Sequence, residues 1–504
     1  MDLKFLDGFI IWFFHYSTEK KQRWLIWVYF GLLLLGGLLL WGVFLNWGNI
    51  SFTYEDWAAI TGPRLAFLRD AMQKMVLPLH ISNPVALDAP TDRFLSVPNT
   101  FIGPTVIFLN FLNIPNFIIF QTFLMFAVGF AGLLALRNQL KLSPFAFTIL
   151  FFLFNFNGHI LSHYSVGHFS WNSYFLLAWF AVLVIELLQK KQVGWAWITK
   201  MTLLMFLIFL QGAYHFFLYC LTFLLVLSIF SPKYFLTVAK TIVACALVGA
   251  IRIAPALLET GAMKVFFLGG YPVVQSLWDA LVNITLPGIY DTANGINAPL
   301  GNWEFTIYIG LLGALFLIFF GIYRTLRGWP IVQGLRQTDD GVEQGSPYRV
   351  LLLPCLVFTL FSFTAVFEEL RVLISIPPLS GERVASRLFI FTILFLMLLA
   401  VYELQKWWDT IHLNSFIALC SLFLFGYELN DLWQNFRFWA VAHAATTFPN
   451  PSTFEQGNWF VANHPDVHYF TLLIIGLIIT CISLAALAFL VRQEKRRMRA
   501  ASQS

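Results

Sequence analysis

The stretch "LIWVYFGLLLLGGLLLWGVFLN" (residues 25–46) decides the fold. It runs 22 residues without a charge. A helix of roughly 20 apolar residues crosses the hydrocarbon core of a bilayer. The run is continuously apolar rather than alternating, so it is not a barrel strand. Working outward, eleven further runs of this kind follow, at about 116–136, 143–161, 170–189, 196–212, 214–230, 235–257, 304–323, 350–367, 384–404, 412–432 and 469–491. The weakest junction is "QGAYHFF" (211–217), where two runs can instead be one bent helix plus a re-entrant piece. The expected fold is an all-α polytopic membrane protein with about 12 transmembrane helices.

Composition agrees. The 504-residue chain is 59% hydrophobic and 11% charged, whereas soluble domains carry about 25% charged residues. The net charge of +5 does not point to nucleic acid, because basic residues in a membrane protein report orientation. "EKKQR" (19–23), "RNQLK" (137–141), "QKKQ" (189–192), "SPKY" (231–234), "YRTLRG" (323–328) and "RQEKRRMR" (492–499) all fall on one side if the N-terminus is cytoplasmic. The expected location is a bacterial inner membrane with both termini cytoplasmic. The five cysteines, Cys220, Cys245, Cys355, Cys420 and Cys481, all lie in predicted spans and imply no disulfide framework. Leu3–Phe14 precedes a charged stretch rather than a cleavage site, and reads as an interfacial helix.

Three divisions follow: an N-terminal cytoplasmic segment (1–23), a transmembrane domain (24–433), and a last loop, final span and basic tail (434–504). The long loops, about 47–100, 258–303, 368–383 and 433–468, fall on the extracytoplasmic side. Long loops in a compact bundle are usually functional. The polar, Gly-rich 324–349 segment reads as a flexible cytoplasmic connector. The chain has no fixed-period repeat, P-loop, dinucleotide fingerprint, zincin or Cys/His metal motif, which argues against an ATP-driven pump and a redox enzyme.

The first loop carries the richest chemistry. Between Pro63 and Met75, Leu65, Leu68, Met72 and Met75 interleave with Arg64, Arg69, Asp70 and Lys74, a spacing that suits a helix lying on the membrane surface. Acids stand at Glu55, Asp56, Asp88 and Asp92. Loop acids commonly do no more than solvate the chain. Glu55 and Asp56 differ because they sit where the chain leaves the bilayer. There a carboxylate can be partly desolvated and act as general base toward a hydroxyl, or help hold a divalent cation such as Mg²⁺ or Mn²⁺.

"FNFNGHILSHYSVGHFSWNSYFLLAWF" (154–180) joins two spans on the same side. Its histidines, His159, His163 and His168, are spaced by four and five with no accompanying carboxylate. They read as interfacial polar residues rather than metal ligands. His168 and Trp171 together also suit a sugar or phosphate. Arg252 lies late in the seventh run, and Arg383 and Arg387 share one helical face at the start of the tenth. An arginine at a span edge is costly and needs a partner or ligand. Its fork suits phosphate oxygens; Glu259, Glu368, Glu369 and Glu382 are alternative structural partners, and snorkelling is another outlet. Glu304, opening the eighth run, is either a cavity-lining acid or an acid favoured by the helix dipole. Acids from the first loop and arginines from later spans then face one outward cavity.

These segments, in this order, resemble the YfhO-like bacterial membrane proteins of the GT-C glycosyltransferase superfamily. The resemblance rests on "YEDWAAITGPRLAFLRDAM" (54–72), "LPLHISNP" (77–84), "VPNTFIGP" (97–104), "FNFNGHILSHYSVGHFSWN" (154–172), "GAIRIAP" (249–255), "WEFTIYIGLLGALF" (303–316) and "ERVASRLFIF" (382–391). It implies a GT-C-like fold and transfer of a sugar from a polyprenyl-phosphate donor to a glycan, glycolipid or protein acceptor outside the cytoplasm. It implies Asp56, with Glu55 as its neighbour, as the catalytic or metal-binding acid. The family often shows a Gln soon after its Asp, and here "DWAAIT" stands instead, so the choice between Glu55 and Asp56 stays open. A transporter or flippase of lipid-linked glycans, with no bond chemistry, is the alternative.

Overall fold

The computed structural model describes residues 10, 12–16, 23–89, 91–190, 193–259, 267–286, 302–327, 346–373, 382–411, 415–447 and 454–501. Among the described residues there is no β-strand, only four isolated bridges. Eight helices are long and apolar enough to cross a membrane, and Pro232–Val248 with Ala250–Ala256 makes a ninth if the bent pair is one span. Three more predicted runs form shorter apolar helices, Trp195–Leu210, Tyr214–Phe230 and Arg349–Phe361. Every one of the twelve predicted runs therefore falls on a helix or a broken helix, and the chain is an α-helical membrane protein. The junction at 211–213 is a real break, with Gly212 at φ +79°.

Local chemistry sets several helix ends. Asn113 and Ser143 cap Ile114–Leu140 and Pro144–Phe156, each accepting from a first-turn amide and each followed by a proline within the first turn. The helix within Ala385–Thr410 sits at the centre, with 94% of its apolar window buried inside the protein. Phe395 stacks on Phe223 at 4.2 Å and 12°. The last helix, Val467–Ala501, is peripheral, with only 17% of its window buried. Most of its surface faces away from the rest of the protein.

That last helix nonetheless repairs a break. The bent pair turns by 67° at Gly249. A break frees backbone groups that cannot stay bare in a bilayer. Thr480 accepts from the Ile251 amide at 3.1 Å and donates to the Val248 carbonyl at 3.0 Å.

One expectation is corrected. The helix Gly62–Lys74 is not a surface helix: Leu65, Ala66, Phe67, Leu68 and Ala71 are all buried, and so is Arg64. Apolar side chains occupy more than one face, so the folded loop itself covers the helix. Arg64 donates to the carbonyls of Ala86 (3.0 Å), Leu87 (3.2 Å) and Asn99 (3.0 Å), which ties the rest of the loop to it. The described part of the N-terminal segment packs onto the bundle. Phe14 is fully buried and packs with Phe13 against Phe145 and Trp408.

Candidate active site

The first loop docks onto the turn that ends Gly158–Ser165. Tyr54 Oη donates to the Ser165 carbonyl at 2.8 Å, and Trp57 Nε1 to the same oxygen at 2.9 Å. Thr61 Oγ1 donates to the Gly167 carbonyl at 2.6 Å. Gly167 has φ +98°, and a Cβ built there would stand 2.4 Å from the Trp57 nitrogen. Only glycine combines that backbone with that approach. Glu55 also adopts a positive φ, 43°. Asp56 then opens a π-helical turn, Trp57–Thr61. Strained backbone and π-turns both concentrate at functional sites.

The docking sets a row of polar side chains. Asp56 Oδ2 lies 3.1 Å from His168 Nε2, with the Asp56 side chain 32% exposed and His168 10%. His168 Nδ1 meets His163 Nδ1 at 2.6 Å, so one ring donates and the other accepts. His163 Nε2 stands 3.8 Å from Glu304 Oε2. Both Glu304 oxygens accept from Arg387, with Nε at 2.7 Å. The Arg387 guanidinium lies 5.0 Å from the Trp171 ring centroid, and Trp171 Nε1 donates to His159 Nε2 at 3.1 Å. Only the Asp56 end of the row reaches solvent; Arg387 and Glu304 are buried.

Burial alone pushes the Asp56 carboxyl up, but the hydrogen bond and charge of His168, with Arg64 and Arg387 behind, outweigh it and hold the group below its ordinary value. Asp56 is therefore an ionised carboxylate at neutral pH. Burial lowers Arg64 to about 10, which leaves it cationic there.

A second buried acid adjoins the row. Glu382 accepts from Tyr219 Oη at 2.6 Å and lies 2.7 Å from His215 Nδ1. Burial works against its charge, yet His215, Arg387 and Tyr219 bring it down to about 2. His215 and Tyr219 were not among the expected site residues. A histidine inside the apolar run "QGAYHFF" was the signal for one of them.

The other expected residues divide. Arg252 is fully buried and donates to the carbonyls of Leu95, Val97, Pro98 and Thr100, so its fork is spent on backbone rather than on a substrate phosphate. Arg387 is likewise committed to Glu304. Glu304 is neither a free cavity acid nor a dipole-placed surface charge. Arg383 remains open: 48% exposed, it stands 3.6 Å from Asp88, itself 56% exposed. Asp92 pairs with His464 at 2.8 Å and belongs to another cluster.

The histidines do have a carboxylate, supplied by Glu304 from far along the chain: His163, His168 and Glu304 hold ligand-type atoms within 4.8 Å of one another. His163 and His168 are joined by a hydrogen bond, whereas His163 Nε2, buried and without a hydrogen-bond partner, stands 3.8 Å from Glu304 as a charge neighbour only. A cation held by both rings would have to break the 2.6 Å His163–His168 hydrogen bond. Arg387 also puts a positive charge where the ion would sit. At Asp56, His168 is the nearest partner, and a divalent cation there would have to compete with it.

Comparison with models of known families, with curated proteins and with solved structures finds no match. Fold and site together define an α-helical integral membrane protein with a part-exposed, ionised acid backed by a buried His–His–Glu–Arg row.

Proposed function

We propose that the protein is a membrane glycosyltransferase. It transfers a sugar from a polyprenyl-phosphate donor to a cell-envelope glycan, glycolipid or protein acceptor on the extracytoplasmic face. On this reading twelve helices in a GT-C-like arrangement cross a bacterial inner membrane, with both termini cytoplasmic. The observation that carries the proposal is the Asp56–His168 pair at 3.1 Å, open to solvent on the Asp56 side. An ionised carboxylate at that place is a general base for an acceptor hydroxyl, and the imidazole behind it takes up the shifting charge. Arg383 and the Arg64 and Arg387 charges behind Asp56 supply a field for the departing phosphate. The phosphate is bound at exposed Arg383 rather than at Arg387 or Arg252.

Asp56→Asn and Glu55→Gln, assayed with a labelled polyprenyl-phosphate sugar, test this. Asp56→Asn should lose ~10²-fold or more in transfer, the range of a general base, and Glu55→Gln far less. Full transfer by both variants sinks the catalytic assignment.

One feature favours translocation instead, the helix pair broken by 67° at Gly249, since transporters build their sites on broken helices. Its break, however, is filled by Thr480, and Arg252 beside it by backbone carbonyls. Recovery of translocated but chemically unchanged glycolipid from proteoliposomes would favour that reading over transfer.

A further inference from the structure

The first loop meets the segment before the last helix at a second polar cluster. The His80 amide donates to Asn463 Oδ1 at 2.9 Å. The Ala462 amide donates to the His80 carbonyl at 2.9 Å, and the Ile81 amide to the Asp92 carbonyl at 3.0 Å. His80 pairs with Arg93, and Ile81 with Val461, as isolated antiparallel bridges. Three backbone segments thus lie side by side, and each brings one side chain with a ligand atom: His80, Asp92 and His464.

Those three ligand atoms all lie within 4.8 Å of one another. His464 Nε2 is 2.8 Å from Asp92 Oδ2. The His80 and His464 rings lie with centroids 4.0 Å apart, tilted by 31°. His80 is only 1% exposed, and neither of its ring nitrogens makes a hydrogen bond. Its Nε2 stops 3.7 Å from Asp466 Oδ2, an oxygen that already accepts from Arg93 at 2.7 Å. A buried imidazole without a partner is costly. It lies beside a second imidazole and a carboxylate, and a cation would complete all three.

We propose that His80, Asp92 and His464 bind one Zn²⁺ ion that joins the first loop to the segment preceding the last helix. Two imidazoles and one carboxylate suit zinc; magnesium and calcium prefer all-oxygen sets. Zinc bonds of ~2.0–2.1 Å place ligands about 3.3 Å apart, so the Asp92–His464 contact opens by about half an ångström as His80 closes in. His464, 51% exposed, gives the ion a path from solvent, and a water takes the fourth position. This differs from the His163–His168–Glu304 group, where Arg387 already supplies the positive charge.

The test uses the full chain in detergent, without a polyhistidine tag. Zinc content after dialysis, zinc titration calorimetry and thermal unfolding with and without zinc are compared for the wild type, His464→Ala, Asp92→Asn and His168→Ala. His464 and Asp92 are exposed enough that neither variant should unfold the protein. The wild type should take up one zinc per chain, and zinc should raise its unfolding temperature. His464→Ala should bind at least ~10-fold more weakly and lose the zinc-dependent shift, Asp92→Asn should weaken binding, and His168→Ala should bind as the wild type does. Cobalt replacing zinc should give the visible absorption of a tetrahedral ion. The proposal is overturned if the wild type holds no stoichiometric zinc, if His464→Ala binds as tightly as the wild type, or if His168→Ala is the variant that loses the ion. Sugar transfer plays no part in these readouts, so they stand or fall apart from the proposed activity.

Discussion

Gly167 lies against the Asp56–Trp57 peptide so closely that a methyl group on its Cα would sit 2.4 Å from the Trp57 nitrogen and 2.8 Å from the Asp56 carbonyl carbon. That contact presses the first loop onto the turn carrying His168.

Gly167→Ala meets two penalties, a φ of +98° and a backbone clash. The loop must retreat and carry Asp56 away from His168. We expect a destabilisation of ~2 kcal/mol or more, read by thermal unfolding, and a loss of activity larger than the unfolded fraction explains. Unchanged activity at reduced stability would show that Asp56 and His168 need not touch.

Arg252→Met keeps the bulk of the side chain and removes its donors. The carbonyls of Leu95, Val97, Pro98 and Thr100 lose their shared partner inside the protein. Orphaned buried groups cost ~1–3 kcal/mol each before relaxation. We expect a total loss of about 3 kcal/mol or more, with faster amide exchange across residues 95–100. A phosphate-binding Arg252 would instead show near-normal stability and a raised KM.

Glu304 and Arg387 form a bidentate pair with both side chains buried. Removing one partner strands the other charge. Glu304→Gln and Arg387→Met should each cost ~3–5 kcal/mol. The double variant should cost much less than the sum, and a double-mutant cycle by urea unfolding measures the difference. Additive losses would mean that the two residues act separately.

Glu382 supplies a pH dependence. Its folded value of about 2 lies below the ordinary 4.5. The stabilisation is therefore complete above the ordinary value and is lost as the pH falls from there toward 2. Linkage puts it on the order of 3 kcal/mol. The unfolding temperature of the wild type should drop through this window, while Glu382→Gln should start lower and fall less steeply. Equal slopes would remove Glu382 as the source.

The spans were legible because they depend on length and apolar content, properties carried by consecutive residues. Eight of the predicted runs, or nine with the bent pair, are helices of membrane-spanning length for that reason. The reading of Gly62–Lys74 went astray for a related one. Leu65, Leu68 and Met72 announce a stripe to be covered, but no pattern says whether lipid or protein covers it. Asp56 was singled out from its place after the first run, whereas its partner His168 was read separately, because pairing across the chain leaves no local mark. The arginines show the same limit. A guanidinium fork matches a phosphate, a carboxylate or a set of carbonyls equally well. Arg252 found carbonyls, Arg387 found Glu304, and only Arg383 kept an exposed head. The His163–Glu304 approach and the His80–Asp92–His464 cluster were out of reach for the same reason.

The interleaving of the first loop with residues 458–469 bears on how the chain is made. The Ser82 amide donates to the Phe460 carbonyl, the Leu95 amide to Tyr469 Oη, and the Val461 amide to Asp70 Oδ2. The loop is made first, and these partners follow 374 to 391 residues later. Contacts so distant in sequence close slowly. Until they arrive, the first loop must therefore wait with these groups unpaired. Maturation of this cluster is then timed by arrival of residues 458–469, whatever the rate at which the earlier helices insert.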